Sequence, residues 1–263
     1  MKVLMDVTSL GVRTHLFLHA WSGDVLDRGE YIVLRTPTNP LYWYGNCLVL
    51  PRLGAGELVR WEGRFVDEHP RAGHRVFLID GPAEAGALHE ATVRGYAVSR
   101  TVVLTATSLP EPARPEGLRF VRFAGEHDWA AQLALVHAAD AADGIAGPEH
   151  QRFVVSRALA NRALVEQGRG DWWGAWEGDQ LIGSLGLFFH DRVGRYQHVV
   201  TAPAHRRRGV AGALVAVAGR AGLAGRADRV VIVAVADSPA ARLYRRAGFE
   251  VQSEMIDLCR KPA

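Results

Sequence analysis

The sequence predicts an α/β protein, a mixed central sheet flanked by helices and built as two related domains. Three observations carry this. In the C-terminal half, apolar residues switch repeatedly between helical spacing and strand-like runs. One strand there is joined to the next helix by a turn of arginine, glycine and small residues, "HRRRGVAGAL", 205–214. The chain also resembles itself: "RGYAVSRTVVLTA", 94–106, matches "AGFEVQSEMIDLC", 247–259, at a displacement of 153 residues, and "RVFLID", 75–80, matches "VVIVAV", 230–235, at 155.

The C-terminal elements follow in order. "LRFVRF", 118–123, reads as a strand. The stretch after it places Trp129, Leu133, Val136 and Ala139 at helical spacing and closes at Gly144. "PEHQRFVVSRALANRALVEQG" opens with proline and ends in glycine, a second helix. "DWWGAWEGDQLIGSLGLFF" is a hairpin turning at 177–180, with Trp172 and Trp173 as its packing residues. "RYQHVVTAP" is a strand that leads through the arginine–glycine turn into the helix "GVAGALVAVAGRAGLAG". "RVVIVAVA" is continuously apolar, hence a buried strand. "SPAARLYRRAG" is a short helix with Ser238 as N-cap and Pro239 first, and "FEVQSEMIDLCR" alternates as an outer strand.

In the N-terminal half, "YWYGNCLVLPRLGAG" sits where the strand and glycine turn stand in the second half. About 40 residues precede that strand, against nearly 80 before its counterpart, so the first copy is truncated. "TSLPEPARPEG", with three prolines and no apolar period, separates the halves. The expected organisation is a degenerate first domain over 1–108, a linker over 109–117 and a second domain over 118–263.

Composition narrows the function classes. The chain has 263 residues, 48% hydrophobic and 22% charged, with a net charge of +3. No run approaches 18 apolar residues, and Asp6 interrupts the first stretch too early for a signal peptide, so a cytoplasmic protein away from membranes is expected. Cys47 and Cys259 are too few for a disulfide framework or a zinc site, and no metal is expected. Between Thr201 and Phe249 nine arginines face two acids, Asp228 and Asp237, which suggests an anionic partner for this segment.

A glycine turn between strand and helix leaves the first helical N–H groups unpaired, and with the helix dipole these groups bind phosphate. Gly209 permits close approach of the backbone, Ala211 and Gly212 keep the first turn small, and Arg206, Arg207 and Arg208 add positive charge. The Gly-Lys-Ser/Thr ending of a nucleotide-triphosphate loop is missing. No aromatics interleave with the arginines, which argues against nucleic acid.

Arg206-x-x-Gly209-x-Ala211 after a strand resembles the Gln/Arg-x-x-Gly-x-Gly/Ala signature of the GNAT (GCN5-related) N-acetyltransferases. "DSPAARLYRRAGF", 237–249, resembles the family's second signature, Asn-x-x-Ala-x-x-x-Tyr-x-x-x-Gly-Phe, with Asp237 in place of the asparagine. The element order over 118–259 is also similar, which makes the chain a tandem GNAT-like arrangement with a degenerate first copy. The resemblance implies acetyl-CoA as acetyl donor, its pantetheine arm along Val199, Val200 and Thr201, and its pyrophosphate on the amides from Arg207 through Val210 to Gly212. It implies Tyr244 as the acid that protonates the departing thiolate. Asp237 is read as a cap of the helix after it.

The base is less legible. The strand positions where several relatives carry a carboxylate or histidine are Arg195 and Gln197, neither a base at neutral pH. Gln197 is kept as the catalytic-strand candidate, and Arg195 suits a carboxylate or phosphate of the acceptor. Strand alternation points His198 to the opposite face. Glu149 and His150 open the second helix on the acceptor side and could serve as base through a water. The expected activity is acetyl transfer to a primary amine of a small molecule by direct attack in a ternary complex, in a monomer or homodimer. Two other readings fit the same residues: a CoA-binding sensor or scaffold without turnover, and a protein or peptide N-acetyltransferase. The first copy has Pro51 in the place of Arg206 and Ala91 in that of Tyr244, so it is expected to bind no CoA.

Overall fold

The computed structural model describes residues 7–113 and 115–262. The stretch up to Asp6, read above for a signal peptide, and Arg114 of the linker lie outside the described residues. Two compact units divide the chain: Met1–Val103, Val233–Ser238 and Gln252–Ala263 form one, Leu104–Ile232 and Pro239–Val251 the other.

The first unit begins with α1 (Leu10–Ala20), β1 (Asp24–Asp27), β2 (Ile32–Arg35) and β3 (Cys47–Leu50). It continues through α2 (Leu58–Glu68), β4 (Arg75–Ile79), α3 (Ala85–Val93) and β5 (Ala97–Ala106), whose residues up to Val103 belong to it. β1 and β2 are antiparallel, as are β2 and β3, while β3 and β4 run parallel. The parallel β3–β4 pair requires a crossover, and α2 supplies it. Its apolar side seats Leu58, Trp61 and Phe65 on Leu48, Leu50, Phe77 and Ile79.

The second unit holds β6 (Leu118–Arg122), α4 (Glu126–Ala142), α5 (Pro148–Glu166), β7 (Gly170–Glu177), β8 (Gln180–His190) and β9 (Val193–Thr201). Then follow α6 (Val210–Leu223), β10 (Arg229–Val235), whose residues up to Ile232 belong to this unit, and α7 (Pro239–Arg246). β6 to β9 are successively antiparallel, and β9 and β10 are parallel. The hairpin turns at Glu177 and Gln180 as the sequence predicts. The next turn carries Asp191 and Arg192 at φ 45° and 59°, the two left-handed positions a tight two-residue hairpin needs. α6 buries Val210, Ala213, Leu214, Val215 and Ala218. A Cβ at Gly219 would run into the Tyr196 hydroxyl, which donates to the Val215 carbonyl at 2.7 Å. That glycine lets helix and strand close up.

The last strand, β11 (Glu250–Arg260), pairs antiparallel with β4, and Leu258 joins the first unit's core. The division of the chain is therefore interleaved: the unit boundary falls after Val103, and 252–263 belong with the first unit. The proline-rich segment is packed rather than free. Leu109 is buried, and Arg220 donates to its carbonyl at 2.9 Å and pairs with Glu111 at 2.6 Å.

Candidate active site

The turn into α6 is built by backbone conformation. Arg207 and Gly209 sit at φ 65° and 81°, both left-handed. Gly209 is the N-cap and brings no capping side chain. The first helical bond runs from the Ala213 N–H to the Gly209 carbonyl. The amides from Arg207 to Gly212 thus have no backbone partner among the described residues. Several unpaired N–H groups at a helix start are an anion site in waiting.

These residues open on a cavity of about 1000 Å³ lined within the second unit. Thr201 and the loop form one side, with Arg206, Arg207, Val210, Ala211 and Gly212. α7 contributes Arg242, Leu243 and Arg246, and the linker contributes Pro110 to Ala113. The three consecutive arginines differ in their commitments. Arg206 grips Asp143 with two 2.8 Å bonds, and each partner stabilises the other's charge, raising the guanidinium pKa and lowering the carboxyl's. Arg208 pairs with Glu177 at 2.6 Å, and His205 reaches the same carboxylate at 3.1 Å. Arg207 lies exposed on the cavity wall. Two acids therefore brace the flanks of the loop and leave its amides facing the cavity.

Tyr244 lies on α7, 6% exposed, its ring 6.3 Å from that of Phe249. Burial pushes its hydroxyl pKa up to about 12, so the phenol keeps its proton at any neutral pH. Its neighbours Leu243 and Ala247 line the cavity. Asp237 stands at φ 60°. Asn and Asp are the side-chain-bearing residues that best tolerate this region, so this backbone suits aspartate as it would asparagine.

β9 departs from regular alternation. Ser184 faces Val200 and Gly186 faces Gln197, so one β8 residue, Leu185, opposes two on β9. His198 and Val199 are those two, and His198 takes φ 51°. This β-bulge cancels the alternation argument. Tyr196 points to α6, while the His198 ring lies 6.4 Å from that of Trp172 and feels Asp140 and Arg157 electrostatically. His198 thus faces the same side as α4 and α5, a correction to the sequence reading. The residue is exposed as a whole, but protein walls its imidazole, and that desolvation lowers its pKa below 6.5.

The other expected residues are spread. Gln197 is half-buried beside the bulge. Arg195 is 4% exposed, and its Nε donates to the Tyr196 carbonyl, so it is packed into the sheet rather than presented to solvent. Glu149 is on the surface, 3.7 Å from Arg152. Its neighbour His150 instead meets Asp140 at 2.6 Å. The sequence offered no sign of that contact, which joins the end of α4 to the start of α5.

The equivalent turn of the first unit is filled from within. The Gly54 N–H donates to the Glu57 carboxylate at 2.7 Å and the Ala55 N–H to the Glu84 carboxylate at 3.1 Å. Two carboxylates hold the place a phosphate would take. Elsewhere, Cys47 is a buried free thiol and Cys259 a half-buried one. Among the described residues no helix is long and apolar enough to cross a membrane. Among them, too, no group of three His, Cys, Asp or Glu side chains is placed to hold a metal ion.

Comparison with known proteins bears on the class. Residues 168–251 match the family model of the acetyltransferase (GNAT) domain. No curated protein matches the sequence. A functionally unknown conserved protein from Staphylococcus epidermidis ATCC 12228 is similar in structure over 92% of this chain and 95% of that one, at 12% identity and a TM-score of 0.72. A GCN5-related N-acetyltransferase from Kribbella flavida aligns over 97% of each chain, at 18% identity and a TM-score of 0.68. A tandem GNAT protein from the clavulanic acid biosynthesis pathway aligns over 92% of this chain and 79% of its own, at 14% identity and a TM-score of 0.53. A GNAT acetyltransferase domain model thus matches 168–251, and the fold is similar over nearly the whole chain to that of GNAT proteins, a tandem one among them.

Proposed function

We propose that the second unit is an acetyl-CoA-dependent N-acetyltransferase acting on a primary amine of a small molecule by direct attack in a ternary complex. The observation that carries this reading is the row of unpaired amides from Arg207 to Gly212 opening on the cavity of about 1000 Å³. That loop suits a pyrophosphate, with Arg207 and Arg246 beside it for further phosphate charge. Val199 to Thr201 would hold the pantetheine arm along β9. Acetyl-CoA supplies the acetyl thioester. Tyr244 holds a proton that its buried hydroxyl does not lose at neutral pH, and it is the donor proposed for the departing sulfur. The first unit takes no CoA, because Glu57 and Glu84 already satisfy its turn.

The test has two arms on the intact protein. Calorimetry with acetyl-CoA should show micromolar affinity, as is typical of enzyme substrates. Thiol release should follow when amino acids, polyamines or aminoglycosides are added. Affinity without release would leave a CoA-binding sensor, and no affinity would end the reading.

A further inference from the structure

The CoA loop accounts for the donor side and leaves the acceptor's proton unassigned. At pH 7 a primary amine is an ammonium ion and cannot attack until it loses a proton. Arg195 and Gln197 cannot take that proton, and Glu149 is held on the outer surface. His150 is already engaged with Asp140.

We propose that His198 is the general base for the acceptor amine; the assignment rests on the acetyltransferase reading above. Four observations converge on it. The bulge opposite Leu185 inserts one residue in β9 and turns His198 to the α4–α5 side. The left-handed φ of 51° belongs to the bulge, and histidine is among the side-chain-bearing residues that adopt that region most readily. The residue is exposed and so within reach of an incoming amine, with the Trp172 ring 6.4 Å from its own. It directly precedes Val199, where the thioester arm is proposed to begin.

The surroundings suit a base. Desolvation is the first influence on His198 and keeps the imidazole neutral at pH 7, with a lone pair to accept a proton. Asp140 on α4 acts the other way and stabilises the imidazolium once it forms, while Arg157 on α5 opposes it. The 2.6 Å contact with His150 fixes the Asp140 carboxylate between the two helices. In the reaction one ammonium proton passes to His198 and on to water. The amine nitrogen then bonds to the thioester carbonyl carbon and the carbon–sulfur bond breaks. The sulfur takes the Tyr244 proton, and Tyr244 regains one, through solvent, from the nitrogen as the amide forms.

The test is steady-state thiol release by the full-length protein, with acetyl-CoA and the best primary amine of the panel, over a range of pH. In the wild type, kcat/KM should fall on the acid side as His198 protonates. His198→Gln should lower kcat/KM by about 10²–10⁴-fold at pH 7. Its rate should then climb tenfold per pH unit toward the amine's own pKa. Acetyl-CoA affinity and melting temperature should hold. His198→Ala should lose as much and recover in part with added imidazole, which settles the matter if the Gln variant folds poorly. Asp140→Asn should move the acid limb itself, which a purely structural role would not do. A His198→Gln enzyme with the wild-type rate and profile would overturn the base assignment and leave the acetyltransferase reading standing. A wild type that binds acetyl-CoA and acetylates no amine would overturn both.

Discussion

Replacing Gly209 tests the phosphate site with a matched pair of variants. A Cβ added there meets nothing closer than the Pro115 Cγ at 3.7 Å, so space is not the obstacle. The obstacle is φ 81°, which Asn and Asp tolerate better than other side chains do. Gly209→Asn and Gly209→Asp should therefore fold alike and differ mainly by one negative charge at the mouth of the loop. A carboxylate about 5 Å from a pyrophosphate charge, at an effective dielectric of about 20 to 40, costs about 1.5–3 kcal/mol. Calorimetry should show Asp binding acetyl-CoA about 10- to 100-fold more weakly than Asn, with the gap narrowing in high salt. Equal affinities in the two variants would refute the placement of the pyrophosphate on these amides.

Three further outcomes follow from the same structure. Calorimetry at saturation should give one CoA per chain, and two would show that Glu57 and Glu84 do not close the first unit's turn. Tyr244→Phe should lower kcat by about 10²–10⁴-fold with acetyl-CoA affinity little changed, because the ring stays packed on Phe249 and only the hydroxyl is lost. Full turnover in that variant would move the proton donor elsewhere. Glu68 has a carboxyl pKa held below 4.5 by Arg28 first, then by Tyr31 and Arg35. A depressed carboxyl pKa contributes stability that is fully present above the unfolded value and is lost as pH falls through the lower folded value. Glu68→Gln should therefore melt below the wild type at pH 7, and the difference should close below about pH 4.5; a pH-independent gap would contradict the linkage.

Much of this could be read from residues, and the exceptions have physical causes. The elements of the second half were legible because their apolar periods are long and their ends carry Gly and Pro, as at Gly144, Pro148 and Gly178. The Arg206–Gly212 turn was legible because glycine and small residues mark a close backbone approach. His198 was not, because alternation presumes an unbroken ladder and the bulge opposite Leu185 has no signature in composition. The Asp140–His150 contact was not, because it joins residues of two helices whose packing no local pattern encodes. The seating of 252–263 with the first unit was hidden for the same reason: "FEVQSEMIDLCR" reads as a strand but does not name its partner. The linker's prolines signalled a break in periodic structure, and the pairing of Arg220 with Glu111 that holds it at the cavity wall depends on tertiary placement.

The central claim is that the second unit uses acetyl-CoA to acetylate an amine. The most direct measurement is mass spectrometry of the full-length protein's reaction with acetyl-CoA and the amine panel, read beside thiol release. The account predicts a product heavier by one acetyl group, formed mole for mole with free CoA, and formed more slowly in Gly209→Asp than in Gly209→Asn at acetyl-CoA concentrations near the wild-type Kd. Tight acetyl-CoA binding with no acetylated amine from any member of the panel would contradict it.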